Sequence, residues 1–229
     1  MIRRDDSEFF KMARRELFTA VIGDVMDKLG MRRQFLPQPI QPLQREMVVV
    51  GRALTVLEAD FFEEVFEGSH SAISARSFGL MLEALDDLKV NEVYVSTGAS
   101  PRFALWGELM TRRAMKCGAA GAVLDGYSRD TRGVLASGFP VFSRGSYAQD
   151  QGPRGKVLDY RIPIEMQGVR IESGDILFGD MDGVCVVPKA AEQEVFVRAL
   201  EKARAERSVG RALDEGMTAS DAFAKYGIL

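Results

Sequence analysis

The chain has 229 residues and a mass of 25.3 kDa, enough for one large domain or two small ones with a buried core. Apolar residues make up 46% and charged residues 28%, which argues against disorder, and 30 Lys plus Arg against 33 Asp plus Glu leave a net charge of −3, with no basic surplus for nucleic acid. Two cysteines rule out a disulfide framework; a single histidine, His70, rules out a Cys/His zinc cluster, an H-E-x-x-H protease and a His–His relay, and argues against a Ser-His-Asp triad. Any enzyme chemistry must therefore run on carboxylates, arginines, backbone amides or a hard metal.

The charged segment Met1–Asp6 has no apolar run behind it, and no stretch approaches the length of a membrane span. The expectation is a cytoplasmic protein with no membrane and no nucleic-acid partner. Phe18, Val21, Ile22, Val25, Met26 and Leu29 recur at helical spacing, with Thr19 as a cap and Gly30 as a stop. Residues 34–44 contain three prolines and read as an extended crossing. Two buried strand segments follow, 47–50 and 53–56, broken at Gly51. The pattern then predicts a helix over 72–88, a strand over 90–97, a helix over 107–117 and a strand over 122–124. That succession favours α/β layering with some parallel pairing.

After Gly138 the chain turns β-rich. Short strands are expected at 139–142, 169–171, 176–178 and 184–187, with alternation through Leu158, Tyr160, Ile162 and Ile164. Asp182-Gly183 reads as a hairpin turn rather than, with Asp180, as a metal pair. A helix over 190–207 and a short one after Thr218, with Asp221 completing a capping-box variant, end the chain. A β-rich middle flanked by helices suggests sheets stacked back to back between helical layers.

The chemistry concentrates between Gly98 and Asp130. Trp106-Gly107-Glu108-Leu109-Met110 opens a helix after a glycine-containing loop, and such an end presents free amides to a carboxylate or phosphate. Twenty residues lie between Glu108 and Arg129, with Asp130 next. A strand–helix–strand return of that length brings a carboxylate, a guanidinium and a second carboxylate around the amides. This blend suits an oxygen-seeking divalent metal beside a small carboxylate ligand.

The pattern Glu108-x20-Arg129-Asp130 resembles the RraA-like family, which contains class II 4-hydroxy-4-methyl-2-oxoglutarate aldolases, oxaloacetate decarboxylases and regulators of ribonuclease E activity. Thr19–Asp24, Val50–Val56, Gly138–Phe142 and Gly174–Pro188 are also similar, so the likeness runs from about residue 15 to about residue 216. It implies one domain over 1–229 with a C-terminal helical extension over 190–229, built as an α/β, layered αββα sandwich with a swivelling β/β/α-type core.

The resemblance also implies site roles. Asp130 would ligate Mg²⁺ or Mn²⁺, Arg129 would contact a pyruvyl group, and Glu108 would hold metal-bound water or ligate directly. Amides near Gly107, Leu109 and Met110 would grip the substrate carboxylate. A glutamate from a neighbouring subunit, Glu206 in preference to Glu201, would approach the metal. The implied activity is cleavage of a C–C bond beside a pyruvyl group through a metal-stabilised enolate, on a 2-oxoacid, in a homotrimer or hexamer with its site at the subunit interface.

Two departures bear on substrate. Aldolases usually carry Asp at the position of Glu108, and the acidic, aromatic run Glu58–Val65 stands where many members have Gly-Asp-Asn. The alternative reading is a non-catalytic regulator that binds a ribonuclease; those members typically lack the aspartate after the arginine, and Asp130 is present here. Asp125 reads as a strand-end turn residue, Lys116 as a solvated helix lysine, Cys117 and Cys185 as core filler, and His70 as capping or surface.

Overall fold

A computed structural model gives the fold and describes residues 5–61 and 71–228; His70 and residues 62–65 of the acidic run lie outside them. The first part comprises α1 (Asp6–Glu16), α2 (Thr19–Lys28), β1 (Gln41–Pro42), β2 (Val49–Asp60), α3 (Met81–Asp86) and β3 (Glu92–Thr97). The middle comprises β4 (Ala104–Trp106), α4 (Glu108–Cys117), β5 (Gly121–Leu124), β6 (Tyr127–Ser128), α5 (Thr131–Ser137) and β7 (Val141–Ser143). The last part comprises β8 (Gly155–Tyr160), β9 (Ile164–Met166), β10 (Val169–Ile171), β11 (Ile176–Asp180), β12 (Gly183–Val187), α6 (Glu192–Asp214) and α7 (Ala219–Tyr226).

Eight strands make one mixed sheet in the order β1-β7-β5-β3-β2-β11-β12, with β8 also paired to β2. Strands β2, β3, β5 and β7 run parallel, and β1, β8, β11 and β12 are antiparallel to their partners. The sheet curls until its ends approach: β1 lies against β12, and the proline-rich crossing bonds to β12 through Leu36 N–H to the Val184 carbonyl and Val186 N–H to the Gln34 carbonyl. The result is a nearly closed mixed sheet with helices outside it.

Strand alternation divides the apolar residues into three cores. Val49, Ala53, Val93, Val95, Val123 and Val186 face inward, sheet against sheet. Val50, Phe178, Cys185 and Val187 face outward under α1, α2 and α6. Leu54, Tyr94, Ala122 and Val141 face outward under α3, α4 and α5. Two helical layers thus enclose a double β layer, the αββα arrangement expected.

Several elements differ from the sequence pattern. The strand does not break at Gly51: β2 is continuous, and Gly51 passes so close under the Asn91 carbonyl that a Cβ would strike it and the Val93 side chain. The helix expected over 72–88 shrinks to α3. Phe78 and Gly79 adopt positive φ, and the Leu80 amide donates to the Val157 carbonyl of β8 at 2.9 Å, so this backbone is spent on the sheet instead of a helix. Helix α1, absent from the pattern reading, is capped by Asp5 and buries Phe10 and Ala13. Thr19 is the first residue of α2 rather than its cap; its amide donates to Asp180 Oδ2 at 2.8 Å, while Asp180 Oδ1 accepts from Asp182 in the hairpin turn. The last helix is capped by Thr218 as expected.

Gly51→Ala should lower stability by about 1–3 kcal/mol, because the added methyl meets backbone that cannot yield. Gly210→Ala, inside α6 one turn before its C-terminal end and with open space around it, should raise stability by about 0.5–1 kcal/mol. Denaturant unfolding of both variants beside the wild type checks the opposite signs.

Candidate active site

The site is assembled by two very short strands. Strand β4 pairs in parallel with β6, with Trp106 opposite Ser128, so the residues that follow each strand emerge side by side. Gly107 and Glu108 leave one strand; Arg129 and Asp130 leave the other. The Arg129 amide donates to the Trp106 carbonyl at 2.8 Å and fixes the juxtaposition. Trp106 itself is buried, with its indole N–H on Thr111 Oγ1 at 2.7 Å and its ring against Tyr94 and Phe139.

Asp130 is held in the left-handed region, at φ 53° and ψ 35°, a conformation Asp tolerates better than most residues. It sits at the N-terminal boundary of α5 without capping that helix. Its Oδ2 instead accepts from the Glu108 amide at the start of α4 at 3.3 Å, and no hydrogen bond occupies its other oxygen among the described residues. Gly107 makes this approach possible, because a Cβ there would lie 2.7 Å from Asp130 Oδ2. Leu109 and Met110 belong to the first turn of α4, whose amides have no intrahelical acceptor; the first intrahelical bond runs from Thr111 N–H to the Gly107 carbonyl.

Arg129 reaches the other way. Its Nη1 lies 3.0 Å from Asp150 Oδ1 and its Nε 3.8 Å from Asp130 Oδ2, and the side chains of Arg129 and Asp130 are 38% and 46% exposed. Both can therefore meet a ligand from solvent. The Glu108 carboxylate accepts from Arg112 Nε at 2.9 Å and Nη2 at 2.5 Å, and it lies over Gly133 of α5, where any Cβ would strike it.

The chain thus brings together Gly107, Glu108, Leu109, Met110, Arg129 and Asp130. Glu206 is not among them. It lies on α6 in the opposite helical layer, paired with Lys202, which also binds Asp24 at 3.0 Å. Asp125 is more than a turn residue: it forms a shielded ion pair with Arg144 at 2.6 Å and accepts from Thr97 at 3.1 Å. Lys116 is exposed and Cys185 buried, as read from sequence.

Asp150 is a site residue that sequence reasoning missed; it stands in a loop with no motif. The described end of the acidic run lies at a neighbouring cavity. Asp60 and Phe61 line a cavity of about 760 Å³ with Arg102, Tyr127, Tyr147 and Arg154. The cavity flanks Arg129 through Tyr127, two residues earlier, without including Arg129 or Asp130.

No group of three or more His, Cys, Asp or Glu side chains converges among the described residues, so there is no closed metal cage. Asp130, with one oxygen uncommitted, and the nearby Glu108 still fit a hydrated hard cation, because Mg²⁺ keeps several waters and uses one or two carboxylates.

A family model described as "RraA-like: Aldolase/RraA" matches residues 19–186. The chain belongs to the RraA-like family. A relative from Halalkalibacterium halodurans, named "Putative 4-hydroxy-4-methyl-2-oxoglutarate aldolase", is 32% identical over 211 residues, covering 91% of this chain and 90% of that one. Among solved structures, an uncharacterized protein from Pseudomonas syringae pv. tomato superposes with a TM-score of 0.80 at 28% identity, covering 93% of this chain and 91% of the other. Streptomyces coelicolor RraAS2, described as an unusual member of the RNase ES inhibitor RraA protein family, superposes at 0.74 with 24% identity, covering 90% and 98% of the two chains, a likeness of fold. No helix among the described residues of this RraA-like chain is long and apolar enough to cross a membrane.

One ionisable group behind the site is strongly perturbed. Burial pushes the Glu58 carboxyl up from its ordinary 4.5 to about 8, with the hydrogen bond from Gln151 offsetting part of the effect. The folded chain then holds a proton that an unfolded glutamate releases, so this residue's contribution falls as pH rises from about 4.5 to about 8 and is level above that. Glu58→Gln removes the titration. Its melting temperature should gain on the wild type progressively across that window, which thermal melts at several pH values will check.

Proposed function

We propose that this RraA-like protein is a lyase that cleaves a C–C bond beside a pyruvyl group. The reaction is retro-aldol cleavage of a 4-hydroxy-2-oxoacid, decarboxylation of oxaloacetate, or both. The observation that supports it most is the meeting of Arg129, Asp130 and the first-turn amides of α4 at one accessible corner. Either reaction leaves the enolate of pyruvate, and stabilising that charge is the main energetic demand. Arg129 is a permanent cation placed to meet the carboxylate or the enolate oxygen, and its planar fork suits both. The Leu109 and Met110 amides, at the positive end of the α4 dipole, receive the substrate carboxylate.

Asp130 and Glu108 would hold Mg²⁺ or Mn²⁺, which when bound supplies Lewis-acid polarisation of the 2-oxo oxygen. Glu108 is tied to Arg112 by an exposed i,i+4 pair, which is weak enough to leave its carboxylate free to hold a water. In the aldol branch that water takes the proton of the C4 hydroxyl; in decarboxylation CO₂ leaves without a base. Glu206 acts from a neighbouring copy in a trimer or a pair of trimers, since its own chain keeps it on the far layer. Asp130 favours this reading over that of a non-catalytic ribonuclease regulator, since those members typically lack the aspartate after the arginine.

A coupled pyruvate-release assay with oxaloacetate and with a 4-hydroxy-2-oxoacid should show turnover with Mg²⁺ or Mn²⁺ and none after chelation. Asp130→Asn should abolish turnover with an unchanged melting temperature, and Arg129→Ala should reduce it by about 10²–10³. Absence of metal-dependent turnover on any pyruvyl acid refutes the proposal. Sedimentation at assay concentration should give a trimer or hexamer, and a monomer contradicts the shared site.

A further inference from the structure

The loop that carries Asp150 is fixed by three successive residues, each holding a different part of the site. The Gln149 carbonyl accepts from the Ala104 amide at 2.8 Å and secures β4, the strand that delivers Gly107. Asp150 meets Arg129 at 3.0 Å. Gln151 turns to the interior, where its side-chain amide donates to Glu58 Oε2 at 2.8 Å. Glu58 and Gln151 are 2% and 4% exposed, whereas Asp150 is half-exposed. An accessible Arg–Asp pair is loosely held on its own, because its side chains pay entropy to stay in one geometry. Here the residue after Asp150 is clamped at a buried point, so Asp150 offers its carboxylate to Arg129 from a fixed position.

The clamp is expensive. Glu58 Oε1 and Tyr94 Oη are buried without hydrogen-bond partners among the described residues. Unpartnered buried oxygens are destabilising, and a leucine at 58 would fill similar space without one of them. The contribution of the carboxyl therefore lies in what it holds.

We infer that Glu58 is a positioning residue for Arg129, acting through Gln151 and Asp150. The inference rests on the proposed role of Arg129 toward the pyruvyl group. It adds a determinant drawn from the acidic run of β2, on the opposite side of the loop from the ligand. Misplacing an oriented group by about 1 Å can cost on the order of 10²-fold, so a smaller loosening of Arg129 is expected to cost about tenfold.

The test is a double-mutant cycle read by calorimetric binding of oxalate, a dianion shaped like the pyruvate enolate, to the full chain in Mg²⁺ buffer. Glu58→Leu should weaken oxalate binding about tenfold in the native background and leave it unchanged in an Arg129→Ala background. Gln151→Leu should behave in the same way, and it carries the test if Glu58→Leu fails to fold. Glu58→Gln, whose amide oxygen accepts the same bond from Gln151, should restore most of the affinity lost in Glu58→Leu. Folded Glu58→Leu and Gln151→Leu variants that bind oxalate like the native chain, or that weaken it equally in both backgrounds, overturn the inference while leaving the role of Arg129 intact. If Arg129→Ala itself binds oxalate normally, the site reading fails and the inference fails with it.

Discussion

Strand β2 is the element on which the rest of the molecule depends. One edge pairs with β3 over Arg52–Leu57; the other takes β11 along its first half and β8 along its second. A strand with both edges filled and both faces buried cannot shift register without exposing one core and crowding another. Val49 and Val50, adjacent in sequence, serve different cores, as do Ala53 and Leu54. Gly51 between them is the accommodation that lets the strand pass the Asn91 carbonyl.

The site inherits its order from this frame while standing outside the large sheet. Its residues follow β4 and β6, a two-stranded parallel pair too short to be stable alone, held by the buried Trp106 and by backbone bonds to the 145–149 loop. Among the residues gathered at this corner the positive φ falls on Asp130, where a left-handed backbone turns the carboxylate from its own helix toward the next. Rigid support beneath a half-exposed charged corner is the arrangement that a binding site for a small anion requires.

Much of this was legible in sequence where the determinants are local. The Asp182-Gly183 hairpin, helix α2, the Thr218 cap and the start of α4 follow from turn chemistry, periodicity and capping. The meeting of Glu108 with Arg129 and Asp130 was also legible, because a return of that length between parallel strands has few geometries. What sequence left hidden is held by distant partners. The apolar spacing of Met81, Ala84 and Leu85 is real, but β8 captures the backbone before it and shortens the helix. Asp125 carries no local sign of Arg144, and Asp150 and Gln151 stand in a loop whose meaning appears once Arg129 and Glu58 are beside it.

The capping of α2 by Asp180 reaches across 161 positions of the chain. Arg52 likewise binds Asp6 of α1 and Glu192 of α6 together. The layer formed by the first two helices is therefore completed by the last third of the polypeptide. On the ribosome, Phe10, Ile22 and Met26 have no finished surface to cover until β11, β12 and α6 have emerged. Contacts of such long range slow folding, because loop closure must be met before they form, and they leave the apolar faces of the first two helices uncovered while the rest of the chain is made.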